Sequence, residues 1–277
     1  MKRIFLLMAC VTSITLAHAQ KLTELWKSDT TLRVPESVYF DTKGKVLYVS
    51  NIDGKSDAKD GNGFISKLST NGKIETLMWA TGLDAPKGMG VVGTTLYVAD
   101  LSRVAMIDTK TGKVTKMVDI EGAQFLNDIT TDAKGNVYVS DSATGKIHVI
   151  KNGKGELYFS SADLKRVNGL LALADGMYVA DAGTGTNYKL SSDLKLTKFA
   201  TTSNGADGIA MVGKNEYIVS SWGGEIFFVN AQGESVKMLD TSESKTNSAD
   251  IGYDPATSTI FVPTFFKNSV VAYKFER

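Results

Sequence analysis

The sequence predicts an all-β fold: a six-bladed β-propeller with four-stranded antiparallel blades, in which an N-terminal strand closes the last blade. Three observations carry this expectation. A short apolar run ending in a small polar residue occurs six times: LYVSN to Asn51, LYVAD to Asp100, VYVSD to Asp141, MYVAD to Asp181, YIVSS to Ser221 and IFVPT to Thr264. The central residues of these runs, Tyr48, Tyr97, Tyr138, Tyr178, Ile218 and Phe261, recur every 40 to 49 residues, which is the period of one propeller blade. The 26 glycines and only 4 prolines suit many short strands joined by tight turns.

The elements follow in order. Lys2 and Arg3 precede an apolar run from Ile4 to Leu16, and Ala17-His18-Ala19 forms a small-residue cleavage pattern before Gln20. Residues 1–19 therefore read as a signal peptide and 20–277 as a single propeller domain, periplasmic or secreted. A lipid-attachment reading of Leu7-Met8-Ala9-Cys10 is disfavoured by the short apolar run before Cys10. Leu22–Asp29 reads as a lone strand. The first blade follows with ESVYFD and VLYVSN around the turn Thr42-Lys43-Gly44, then FISKLS and KIETLMWA around Asn71-Gly72, a two-residue hairpin signal. Similar turns return at Lys134-Gly135-Asn136, Asn152-Gly153-Lys154, Ala174-Asp175-Gly176 and Gln232-Gly233-Glu234. Only three strands fit after Ala249, so Leu22–Asp29 is expected to pair with the last of them and remove the open sheet edges.

Processing would remove Cys10, the only cysteine, and with it any thiol chemistry. Loss of Lys2 and Arg3 would leave 29 basic against 30 acidic residues, a net charge near −1. Without a basic stripe, nucleic acid and anionic membrane are poor partners, and no later segment is apolar enough to span a bilayer. A small molecule is the expected partner of what is taken to be a monomer. The remaining histidine, His148 in KIHVI, reads as an ordinary strand residue.

The chemistry is expected at the start of each innermost strand. Ten to twelve residues before the central aromatic or isoleucine stand Glu36, Lys87, Asn127, Asn168, Asp207 and Asp250. First strands of propeller blades line the central channel, so these side chains should converge at one mouth. Carboxylates and amide carbonyls are hard oxygen ligands that suit Ca²⁺. Asn127-Asp128, Asn168-Gly169 and Asp207-Gly208 are also common turn dipeptides, and their shared register is what favours a metal. Lys87 is expected to pair with Asp250 or Glu36.

This constellation resembles the senescence marker protein/gluconolactonase (regucalcin-like) family and the related diisopropyl-fluorophosphatase and paraoxonase propellers. Glu36 in PESVYFD, Asn127 in QFLNDITTD, Asn168 in RVNGLLAL and Asp207 in GADGIAM match the family's divalent-metal ligands. The resemblance implies a metal-dependent hydrolase of lactones or related esters, using Ca²⁺ with Zn²⁺ or Mn²⁺ as alternatives, and Asp207 as general base. The family's sugar lactonases carry an arginine two residues before the ligand asparagine, where this chain has Phe125; the paraoxonase histidine dyad has no counterpart. Apolar or neutral substrates are therefore expected. Strand direction places the loop after each second strand on the ligand face: the long Ile52–Gly63 segment as a lid, and Trp222, Phe265 and Phe266 as a pocket wall or as packing between blades. Asp60-Gly61-Asn62-Gly63 lacks the distal glutamate of a calcium loop, and Gly183-Thr184-Gly185 is too short for a dinucleotide motif. Lys87, Phe125, Trp222, Asp250 and Phe265 make up the expected substrate-binding set. The alternative is a non-catalytic binding or scaffolding propeller with a structural ion or none.

Overall fold

The computed structural model describes residues 20–277; the signal-peptide segment and Cys10 lie outside the described residues. Six antiparallel sheets of four strands each account for every strand among the described residues. Five blades are consecutive in sequence, beginning at Pro35, Pro86, Leu126, Val167 and Ala206. The sixth takes its three inner strands from Gly252–Asp254, Thr259–Pro263 and Val270–Glu276, and its outermost strand from Lys21–Lys27. The only helix among the described residues is a single 3₁₀ turn, Phe265–Lys267, and no helix is long and apolar enough to cross a membrane.

The expected closing strand ends at Lys27, but its pairing continues one residue further. Ser28 N–H donates to the Val270 carbonyl, and Val270 N–H donates back to Ser28 Oγ at 3.0 Å. Trp26 fastens this strand across the seam: its ring lies 5.9 Å from that of Phe261 in blade six, and its Nε1–H donates to Thr70 O in blade one. Apolar second-strand residues such as Leu47, Val49, Val98, Val139, Val179 and Val219 are fully enclosed between neighbouring sheets. That explains why the recurring motif is apolar on both faces instead of alternating.

Register determines which side chains reach the channel. The last residue of each apolar run pairs with the residue just before the expected site residue: Asn51 with Pro35, Asp100 with Pro86, Asp141 with Leu126, Asp181 with Val167 and Ser221 with Ala206. The ladder slips immediately afterwards, between Pro35 and Ser37, Pro86 and Met89, Leu126 and Ile129, Val167 and Leu170, and Ala206 and Ile209. A bulge re-aims the residues it contains, and in five blades it contains the site residue.

Candidate functional site

The terminal polar residue of each motif secures the segment that leads into the same blade's first strand. Asp100 accepts from the N–H groups of Asp84 and Ala85, Asp141 from Gln124 and Phe125, and Asp181 from Lys165 and Arg166. Asn51 Oδ1 accepts from Arg33 N–H, and Ser221 Oγ donates to Asn204 O. Two or three residues downstream of these anchors come Lys87, Asn127, Asn168, Glu36 and Asp207, all buried. In blade six Thr264 instead bonds to Ser269 and holds the 3₁₀ turn, with Phe265 at a φ of 47°.

Glu36, Lys87, Asn127, Asn168 and Asp207 line one cavity of about 350 Å³ at the channel mouth. Asn168 Nδ2 donates to Asp207 Oδ1 at 3.1 Å, while Asn168 Oδ1 is enclosed without a partner. Glu36 Oε2 is likewise enclosed and unpartnered. Asn127 Nδ2 donates to Ser142 Oγ, which donates to Val167 O; this orients the amide between blades three and four. Burial pushes the Glu36 carboxyl well above the usual range, the nearby Asp207 adds to the rise and Lys87 opposes it. Asp207 is also raised, by burial and then by Asp250, against the Asn168 hydrogen bond and Arg166. Two enclosed carboxyls and two amides, with acceptor oxygens left over, form a site that a hard divalent cation fits. Among the described residues, no group of three or more histidine, cysteine, aspartate or glutamate side chains comes together to hold a metal.

Two expectations need correction. Asp250 does not join this ring. Gly252 pairs with Phe261 as Thr130 pairs with Tyr138, so counting back three residues reaches Ala249 where blade three has Asn127. Asp250 falls one residue deeper, beside Ser37, whose Oγ donates to its carboxylate, and it lines a second cavity with Asp128. Lys87, in turn, forms no ion pair with Glu36 or Asp250. Its Nζ donates to the carbonyls of Ser56 at 3.0 Å and Ala85 at 2.9 Å, and sits 4.5 Å above the Phe125 ring. Burial lowers the Lys87 pKa, an effect opposed by Glu36.

The walls come from the loops after the second strands and, at Phe125, from the segment that leads into the third blade. Ile52 and Ser56 of the long first loop line the cavity, as do Phe125, Trp222, Phe265 and Phe266. The last three form one aromatic cluster, with ring centroids 4.7 to 6.2 Å apart. Phe265 is buried, whereas Trp222 and Phe266 are 42% and 61% exposed. Asp60 accepts from Asn62 N–H in a turn of the loop, Asp84 accepts from Gly61 N–H and pairs with Arg103, and Thr184 bonds to Asp181. His148 is buried in a third strand and does not line the cavity. The cavity residue that sequence reading passed over is Arg166; the signal for it was its place two residues before Asn168, the same place Phe125 holds before Asn127.

The model of the SMP-30/gluconolactonase/LRE-like region matches residues 34–264. The chain belongs to this family. No curated protein matches the chain in sequence. Among solved structures, a catalytically inactive variant of Staphylococcus aureus virginiamycin B lyase with quinupristin superposes with a TM-score of 0.64 at 15% identity, covering 92% of this chain and 99% of that one. A streptogramin B lyase gives 0.66 at 11% identity, covering 93% and 98%. A Bacteroides thetaiotaomicron protein of unknown function gives 0.68 at 11% identity, covering 93% and 76%. At these identities the likeness is one of fold, and this SMP-30/gluconolactonase-like chain has its cavity described by its own residues.

Proposed function

We propose that this family member is a metal-dependent hydrolase of lactones or related esters, exported across a membrane by residues 1–19. The observation that carries the reading is the pair of enclosed, unpartnered oxygens, Glu36 Oε2 and Asn168 Oδ1, beside Asp207 in one cavity. Buried acceptors without partners are costly, and a divalent cation would satisfy both while offsetting the two neighbouring carboxylates. Glu36, Asn127, Asn168 and Asp207 would hold it, with Ca²⁺ the best match to all-oxygen donors. When bound, such an ion supplies Lewis acidity toward a carbonyl oxygen.

The chain's own groups supply the rest. Asn168 Nδ2 occupies Asp207 Oδ1, so Asp207 Oδ2 is left to take a proton from the attacking water. Burial makes this carboxylate more basic, and the nearby Arg166 charge helps keep it ionised. Lys87 fixes the first loop through Ser56 O and holds Phe125 against the cavity floor. The aromatic wall excludes water from the acyl or aryl part of a substrate.

The lyase with quinupristin is inactivated by replacing a histidine with alanine, whereas among the described residues no histidine lines this cavity. The cavity therefore offers no counterpart to the histidine of that lyase. The test is elemental analysis followed by a panel of lactones and aryl esters, with and without chelator. Turnover should require the metal, and Asp207→Asn should lower kcat about 10²–10⁴-fold. Turnover that survives both treatments would reject the reading; an absence of turnover on every substrate would favour the binding propeller.

A further inference from the structure

Two cationic side chains line the cavity, and they are not equivalent. Lys87 is enclosed, and its ammonium is committed to the carbonyls of Ser56 and Ala85 and to the Phe125 ring. The Arg166 guanidinium makes no hydrogen bond or ion pair among the described residues, and the residue is exposed. Its backbone is nonetheless fixed: Arg166 N–H donates to Asp181 Oδ2 at 2.9 Å, and Arg166 O accepts from Ala182 N–H. Asp181 cannot neutralise it, because Oδ2 is shared with Lys165 N–H and Oδ1 accepts from the Thr184 N–H and hydroxyl. A free guanidinium on a rigid base, at the rim of a cavity whose other rim groups are the exposed rings of Trp222 and Phe266, is a receptor for an anion attached to an apolar body.

We propose that Arg166 is a specificity-determining residue, and that the substrates of this cavity are amphipathic anions: an aryl or branched acyl group against the Trp222–Phe266 wall and a negatively charged oxyacid group on the guanidinium. The proposal rests on the reading of the cavity as a substrate site, but not on hydrolysis. It replaces the neutral class that Phe125 suggested with an anionic one that keeps the apolar body. Phe125 removes a guanidinium at blade three, and the same register position in blade four restores one. The anion belongs at the rim, because Glu36 and Asp207 are deeper and of like charge.

Binding of p-toluenesulfonate and of neutral p-toluenesulfonamide tests this on the intact protein in Ca²⁺. Sulfonate is a poor ligand for a divalent ion, so its preference reports the guanidinium. The readout is quenching of Trp222, one of three tryptophans, with Trp222→Phe as background. The wild type should bind the sulfonate about tenfold more tightly. Arg166→Gln should bring the two probes within about twofold by weakening the sulfonate alone, and Arg166→Lys should retain part of the preference. Equal affinities in the wild type, a preference that survives Arg166→Gln, or no quenching by either probe would overturn the inference. Because the readout is binding, a protein that shows the preference yet hydrolyses nothing supports the inference and rejects only the hydrolase reading.

Discussion

The residue after each channel side chain matters as much as the side chain itself. A Cβ on Gly169 would lie 1.9 Å from the Asp207 carbonyl oxygen, one on Gly208 would lie 2.5 Å from an Asp250 oxygen, and one on Gly88 would lie 2.4 Å from an Asp128 oxygen. First strands of adjacent blades approach this closely only because these positions carry no side chain. Gly169→Ala should therefore destabilise the fold by about 1–3 kcal/mol and, by pushing Asp207 outward, weaken divalent-metal binding in the same protein. Denaturant melts and calorimetric titration measure the two effects, and an unchanged midpoint would mean the blades can separate at no cost. The deeper Asp250 gives a pH signature. Burial pushes its carboxyl up to about 6, against the Ser37 hydrogen bond. A raised folded-state pKa means the contribution of Asp250 is full below its unfolded value near 4 and is lost as pH rises through about 6. Asp250→Asn keeps the acceptor for Ser37 and removes the charge, so the metal-free variant should be more stable than wild type at pH 8 by about 1–3 kcal/mol. The advantage should vanish below pH 4, and thermal melts across that range read it directly.

At the scale of the strand and its loop, one device is repeated around the ring: the polar end of the second strand caps the segment leading into the first. Asp141 receives Gln124 and Phe125 N–H at 3.0 Å each, and Asn127 follows two residues later. Asp141→Ala would take the acceptor from three part-buried backbone donors, those of Gln124, Phe125 and Ala143, a loss of about 2–4 kcal/mol, and would loosen Phe125 beneath Lys87. Asp141→Asn should recover part of the stability, since one acceptor oxygen remains; chemical unfolding of both variants checks the order. The device also marks what sequence could reveal. The motif and its period were legible because enclosed second strands must be apolar in every blade. The purpose of its final residue was not, because the N–H groups it holds belong to a segment about sixteen residues upstream. The channel residues of blades one to five could be counted from the central aromatic or isoleucine, since each of these blades carries a bulge at that point. In blade six the tolerance of 10 to 12 residues admitted both Ala249 and Asp250, and the aspartate was the chemically attractive choice. Only the pairing of Gly252 with Phe261 separates them. Nor did charge pattern disclose that Lys87 would turn to two backbone carbonyls, because the Ser56 carbonyl comes from a loop whose path no local signal fixes.

For the whole molecule, closure converts six sheets into a ring with a defined channel. The three C-terminal strands would present the edge of Val270–Glu276 to solvent were it not paired from Lys21 to Lys27. That pairing joins residues some 250 positions apart in sequence, and Trp26 extends it into blade one through Thr70 and the surface of Gly72, where a Cβ would lie 2.5 Å from the indole. The strand itself is largely exposed, so its contribution comes from the ladder and from Trp26, with little from burial along its length. Removing residues 20–28 should therefore have two separable effects. The melting temperature should fall by about 10 °C, since 1 kcal/mol corresponds to roughly 2–4 °C at this size, and the bared edge should promote self-association. Trp26→Ala should lower stability by about 2 kcal/mol while leaving the association state of the wild type unchanged, because the edge stays covered. Scanning calorimetry and sedimentation of the two variants distinguish the contributions. If the deletion melts like the wild type, blades one to five and the three C-terminal strands hold the channel without the closing strand; if Trp26→Ala associates as the deletion does, the indole and not the ladder is what covers the edge.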